Sequence, residues 1–411
     1  MKYIKDVFFI GAISFVFSFN VLGSFFQPEV ISLKNGLKIY VIENKRTSVV
    51  TQFVLYKVGS ADDPASKSGL ASFLEYLVFN GDEGTPADHL KKLVDHGGGQ
   101  LNGLVTKDFT YYYETVAKNH LEDIMKLEAL RMASFMVSQD DVEQNRGAVL
   151  EQKQRHEDTS PLEFFYQAIN KAFFGKGPYG IPVSGWKSDL SHILSKDLRD
   201  FHTHFYAPGN AIVIIVGDIT IDQVKEYATK YYEIIPPRVT PNRERLEDVE
   251  GVEKTKLILN SDKIKTSILG RSYHAPHFAT QDHKYVYALE LLKYILAFQA
   301  QGRFEKALIR QEKVASQLSV NYKDFPLRPR TFSFVIQSLS GKKLDDVEAV
   351  LDRQIQTLLA TGVTQEELDK AKDIFISEID LMKDEPLRGI DKFAERLSVG
   401  ESVAEINAWP E

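Results

Sequence analysis

The chain has 411 residues, 43% of them hydrophobic and 26% charged, with a formal net charge of −7. That length predicts two or three domains of about 150 residues, and 26 Phe with 18 Tyr exclude a disordered chain. The acidic balance argues against nucleic acid as a partner, and the lack of any cysteine excludes disulfide frameworks, Cys-zinc sites, iron–sulfur clusters and thiol catalysis. A metal here would need His and carboxylate ligands.

Lys2 and Lys5 precede an apolar run from Val7 to Leu22, and Val21-Leu22-Gly23-Ser24 supplies the small residues that a signal peptidase reads. Residues 1–23 are therefore expected to be a secretory signal. The alternative is an uncleaved inner-membrane anchor, because the run is nearly long enough to span a bilayer. Either way the body of the protein is exported, and an exported chain without cysteine fits a bacterial periplasm. Contact with a membrane is expected only through this segment.

Beyond it the chain reads as α+β. Val30–Leu33 and Leu37–Glu43 flank Asn35-Gly36, the dipeptide favoured in hairpin turns, and Val49–Val58 continues as a strand. Leu70, Phe73, Leu74, Leu77 and Val78 recur at helical spacing, with Gly81 at the expected stop. Strands are expected at Gln100–Val105 and Phe109–Val116, and Asn119-x-x-Glu122 reads as a capping box opening the next helix. A strand at Ala211–Val216 and a helix at Ile221–Tyr232 close this half. The polar stretch Pro236–Gly251 has no buried face and divides the chain into domains 24–235 and 252–411, with 236–251 as linker.

The second half repeats the order coarsely. Strands are expected at Leu257–Asn260 and Thr266–Ser272, a helix from about Thr280, strands at Ser316–Val320 and Thr331–Ser338, and helices from Leu344 and Thr364. Thr364-x-x-Glu367 caps the last of these. Two α+β halves of similar layout point to a duplicated domain.

The segment Gly69-Leu70-Ala71-Ser72-Phe73-Leu74-Glu75-Tyr76-Leu77-Val78-Phe79-Asn80-Gly81 resembles the zinc peptidase family of pitrilysin, insulysin and the mitochondrial processing peptidase. That family carries H-x-x-E-H on a helix. The resemblance continues through Gly97–Gly103, Thr106–Tyr112, Leu127–Met132 and Asn145–Gln152, and in the second half through Gly302-Arg303-Phe304 and Leu308–Lys313. It covers about residues 30–411 and implies two homologous α/β-sandwich domains, each a mainly antiparallel sheet covered by helices. Family chains run a few dozen residues beyond the equivalent of Ala408–Glu411, adding a last helix, so the second domain is expected to be truncated.

The resemblance also assigns the site. The two His positions are Ser72 and Tyr76, and the general base between them is Glu75. The third ligand, last residue of an Arg-x-x-x-x-x-Glu pattern begun by Arg146, is Gln152. Glu151 is one residue off, which turns it about 100° around the helix, and the supporting carboxylate position is Asn145. Asn102 falls where active relatives hold substrate, or is a plain turn residue. Arg310 falls where the family offers an Arg that stabilises the attacked carbonyl, or is a solvated helix charge; the Tyr expected seven positions on is Gln317.

Zinc needs His and carboxylate ligands and a bound water. Ser hydroxyl and Gln amide are weak neutral donors, and a phenol must first lose a proton. No zinc is expected, although the family uses it. His202-x-His204 has a spacing that points two rings to different sides of a helix, and His89, His96, His120 and His156 stand singly among polar neighbours. The reading is a non-catalytic homologue, a peptide-binding or scaffold subunit for an active peptidase chain. Its partners would be peptide or unfolded polypeptide and that homologous subunit. The alternatives are an active zinc metalloprotease with atypical ligands, or the truncated product of a decaying gene.

Overall fold

In the computed structural model the β-branched runs form strands and the runs of 3.6-residue period form helices. It describes residues 26–46, 48–80, 86–239, 242, 256–260, 264, 266–276, 283–298, 301–323, 330–384 and 386–408. The expected signal, Gly81, Thr280 and most of the linker lie outside the described residues. The first half contains β1 (Glu29–Ser32), β2 (Lys38–Glu43), β3 (Val49–Tyr56), α1 (Leu70–Phe79), α2 (Pro86–His96), β4 (Gln100–Val105) and β5 (Thr110–Ala117). It continues with α3 (Leu121–Ala133), α4 (Gln139–Thr159), α5 (Pro161–Phe174), α6 (Lys187–Leu190), α7 (Ser195–Phe205), β6 (Ala211–Gly217) and α8 (Ile221–Tyr231).

The strands form one sheet in the order β1-β2-β6-β3-β5-β4, antiparallel except for β2 beside β6. Every residue of β6, Ala-Ile-Val-Ile-Ile-Val-Gly, is buried, as a central strand covered on both faces requires. Asn35 fixes the β1–β2 turn to the end of α8 by donating to the carbonyls of Tyr232 (2.7 Å) and Ile235 (3.0 Å). The expected capping box at Asn119 does not form. The chain makes a tight turn over Lys118–His120, α3 starts at Leu121, and Glu122 instead accepts from Lys230 and Tyr231 of α8, both at 2.7 Å. A tertiary partner has taken the carboxylate that the local motif needed.

The second half contains β7 (Ile268–Ala275), α9 (His283–Leu296), α10 (Arg303–Glu305) running into a wider helical turn over Lys306–Gln311, β8 (Ala315–Lys323) and β9 (Arg330–Ser338). Then come α11 (Leu344–Thr361), α12 (Gln365–Asp384), α13 (Pro386–Ser398) and α14 (Val403–Ala408). Its sheet has the order β7-β9-β8, the same chain-to-sheet permutation as β3-β5-β4. The duplication is thus visible in topology. The capping box expected at Thr364 is complete: Thr364 N donates to Glu367 (2.9 Å) and Glu367 N to Thr364 Oγ1 (3.2 Å). No strand is formed at Leu257–Asn260, where one was expected.

The halves exchange helices. Ile390, Phe393, Ala394 and Leu397 of α13 share a core with Tyr40, Phe53, Leu55, Ile212, Ile214 and Val216 of the first sheet. Reciprocally, α5 covers β7, where Ile169 and Phe165 lie 2.5 and 2.6 Å from the position a Cβ on Gly270 would take. Phe26 and Asn407 exchange two hydrogen bonds (3.0 and 2.8 Å). No helix among the described residues is long and apolar enough to cross a membrane.

Candidate functional site

Helix α1 is held at its start by a residue outside it. Asp63 accepts from the backbone N–H groups of Gly69 (2.7 Å) and Ala71 (2.9 Å), two donors that the first turn cannot satisfy itself. Gly69 sits at φ +89°, which a side chain would oppose. Burial pushes the Asp63 carboxyl up to about 7, against those hydrogen bonds. Leu70, Ala71, Phe73, Leu74, Leu77 and Val78 bury one face of α1, leaving Ser72, Glu75 and Tyr76 half-buried together at i, i+3 and i+4.

Ser72 Oγ donates to the Val183 carbonyl at 2.9 Å. Glu75 lies under β4, its Oε1 3.0 Å from where a Cβ on Gly103 would stand, so the missing side chain at Gly103 makes room for the carboxyl. Burial pushes Glu75 up to about 7, with Arg131 opposing the shift. Tyr76 packs against the first core.

Helix α4 passes beside α1 with the Arg146 guanidinium 5.9 Å from the centre of the Phe73 ring. Arg146 also donates to the carbonyls of Leu190 and Ile193. Gln152 stands six residues further along α4, exposed, while Glu151 faces Arg155 (3.9 Å). Asn145 donates back to the Asp141 carbonyl (2.9 Å). The structure therefore brings Ser72, Glu75 and Tyr76 together on one helix and runs the helix of Gln152 alongside.

Asn102 is exposed on β4, its Oδ1 accepting from Gly103 N (2.9 Å), and lines an open cavity of about 450 Å³ with Phe79, Asp95, Gln100 and Tyr113. This cavity joins the end of α1 to the outer strand of the sheet. Arg310 and Gln317 are both exposed in the second half, on the turn after α10 and on β8. His202 is buried with Nε2 2.9 Å from the Arg131 carbonyl, and burial lowers it to about 4, so its ring is neutral; His204 is exposed.

Sequence reasoning passed over a buried charge cluster behind Glu75. Glu114 of β5 and Glu128 and Arg131 of α3 are all buried, with Arg131 paired to Glu128 and 3.7 Å from Glu114. The guanidinium lies 4.7 Å from the Tyr112 ring centre, and the Tyr112 and Tyr206 hydroxyls are 2.9 Å apart. Burial and the neighbouring Glu128 push the Glu114 carboxyl well up. The signal was present: β5 alternates buried and half-buried, and Glu114 falls on the buried register of Tyr112 and Val116.

The family's zinc does not fit this donor set. At the positions that the resemblance assigns to its ligands stand a hydroxyl already given to a carbonyl, a phenol and an exposed amide, where zinc needs imidazole and carboxylate. Among the described residues no group of three His, Cys, Asp or Glu could hold a metal ion.

Residues 38–186 match the family model described as Insulinase (Peptidase family M16), and residues 193–375 match the model described as Peptidase M16 inactive domain. The chain belongs to the M16 peptidase family. It is 28% identical over 352 residues to zinc protease PqqE of Helicobacter pylori, covering 84% of this chain and 78% of that protein. It is 20% identical over 347 residues to the uncharacterised zinc protease YmxG of Bacillus subtilis, covering 83% of this M16 chain and 80% of its relative. The crystal structure of a protease from Helicobacter pylori superposes with a TM-score of 0.76 at 25% identity, over 93% of this chain and 95% of that one. The fold of two M16 domains is thereby established.

Proposed function

We propose that this chain is a non-catalytic M16 subunit that binds extended polypeptide beside α1 and β4 and works with an active homologous peptidase chain. The observation that carries the reading is the donor set. Glu75 keeps the position of a general base, and a pKa of about 7 suits that role. The water it would deprotonate needs a zinc ion to lower its own pKa, and Ser72, Tyr76 and Gln152 do not supply the ligands. What remains of the family's equipment is the polypeptide-facing part: Asn102, the open cavity and the outer strand. The proposal places the protein in the periplasm, on the strength of the charged and apolar segment at residues 1–23.

Co-expression with an intact M16 homologue, followed by size exclusion and a peptide-hydrolysis assay, tests the partnership. The two chains are expected to co-elute and the partner's turnover to change. Separate elution with unchanged turnover would rule out the subunit role.

A further inference from the structure

Where α3 packs on β5, two carboxyls meet one guanidinium out of reach of water. Glu114 and Glu128 are 0% exposed and Arg131 5%, so solvent cannot dilute their charges. Nη1 of Arg131 is paired with Glu128 and lies 3.7 Å from Glu114. Among the described residues no other cation lies within ion-pair distance of either carboxyl. A guanidinium stays charged, so two ionised carboxylates would leave one buried negative charge in excess. Two carboxylates can also only accept hydrogen bonds, and a proton on one of them supplies the donor between them. We propose that Glu114 and Glu128 share one proton at neutral pH, held on Glu114, and that this proton is a latch between β5 and α3 which alkali releases.

The groups that surround the pair do not change this balance. Across the sheet Glu114 stands beside Gln52 of β3 and Leu101 of β4, both uncharged. Tyr56 of β3 and Tyr232, just past α8, face the same cluster. Their hydroxyls are fully buried and have no hydrogen-bond partner among the described residues. Burial pushes both phenols well above their ordinary range, so they stay neutral. Tyr112, whose ring lies under the guanidinium, and Tyr206 beyond α7 are buried and raised in the same way. From α7 the neutral His202 ring approaches the Arg131 carbonyl and adds no charge. On the α1 side Glu75 draws on the same guanidinium, since Arg131 opposes the upward shift that burial gives it. One cation thus serves three carboxyl groups.

Geometry also selects the carboxyl that holds the proton. Glu128 and Arg131 are an i, i+3 pair on α3 in direct contact, so Glu128 keeps the charge. Glu114 stands further from the guanidinium, and burial together with the Glu128 charge pushes its carboxyl well up. In the unfolded chain a glutamate ionises near pH 4.3. The group's contribution to stability is therefore complete below that value and declines as pH rises, until Glu114 ionises inside the fold. Loss of the proton to solvent base leaves the excess negative charge between strand and helix, and α3 is then pushed away from β5. β5 also pairs with the outer strand β4, so the latch acts on the strand that carries Asn102. The inference stands on this buried contact and not on the state of the Ser72–Tyr76 site.

The test counts the proton. Between about pH 5.5 and 7, unfolding of the unaltered chain should release about one proton more than unfolding of Glu114→Gln. The ratio of their unfolding constants, measured in urea, should therefore change about tenfold per pH unit. Glu128→Gln should lose the same proton, because Glu114 then ionises as the counter-ion of Arg131. Glu114→Gln combined with Glu128→Gln removes both counter-ions and should unfold at a lower urea midpoint than either single variant. Infrared spectroscopy of the full chain with isotope-labelled glutamate reads the proton without altering the pair. With Glu75→Gln, so that Glu75 adds no band, a protonated glutamate carboxyl is expected at neutral pH. The inference is overturned if that band is missing, or if Glu114→Gln and the unaltered chain keep a constant ratio of unfolding constants across the pH range. It is equally overturned if the double variant is as stable as the single ones.

Discussion

Glu75 carries a cost that its neighbours on α1 do not. Its carboxyl is pushed up to about 7 by burial, whereas in the unfolded chain it titrates near 4.3. The group's favourable contribution is complete below the unfolded value and is lost as pH rises through about 7, since ionising it inside the fold is penalised. Glu75→Gln should therefore match the unaltered protein at pH 4 and exceed it at pH 8 by on the order of 3–4 kcal/mol, measured by urea unfolding. Parallel curves at both pH values would mean that the carboxyl is not desolvated. The same position frames the repair experiment. Ser72→His with Tyr76→His and Gln152→Glu should restore zinc binding more readily than proteolysis. Zinc asks for three placed ligands, while cleavage also draws on the positions now held by Asn145 and Gln317. Loss of a supporting group of the Asn145 kind typically costs 10- to 100-fold. Zinc content of the triple variant no higher than that of the unaltered chain would show that Gln152 is not the third position.

Helix α1 depends on Asp63, six residues before its cap, and that dependence belongs to the element rather than to any residue on it. Asp63→Ala removes acceptors from two N–H groups at the start of the helix and should cost about 1–2 kcal/mol, seen as a lower urea midpoint. An unchanged midpoint would assign the capping to Gly69 alone. Behind α1, Arg131→Met leaves Glu114 and Glu128 without their cation and should cost about 3–5 kcal/mol in the same assay. These elements also show what the sequence made legible. The α1 pattern, the Asn35-Gly36 hairpin and the Thr364 box could all be read because their determinants are local. Glu122 was misread because its partners Lys230 and Tyr231 come from another helix. That Ser72, Glu75 and Tyr76 share one face of α1 was legible from their spacing; Glu114 was overlooked because alternation was not checked for charge on the buried register.

At the scale of the molecule, the exchange of α5 and α13 makes one unit of two similar halves. Phe393 is fully buried, with ring centres of Phe26 at 5.3 Å and Tyr40 at 6.0 Å, so it packs against residues more than 350 positions away in sequence. Phe393→Ala should cost about 3–5 kcal/mol, and both halves should lose that stability together in a single calorimetric transition. Two transitions, with only the later half shifted, would show that the shared core does not couple them. The family fold, the helix that presents Ser72, Glu75 and Tyr76, and the open cavity beside Asn102 are all in place. The proposed absence of zinc rests on the donor set at Ser72, Tyr76 and Gln152. Metal analysis of the purified, unaltered protein tests that most directly: the account expects far less than one zinc per chain. A full equivalent of zinc, lost on Tyr76→Phe or Gln152→Ala, would contradict it.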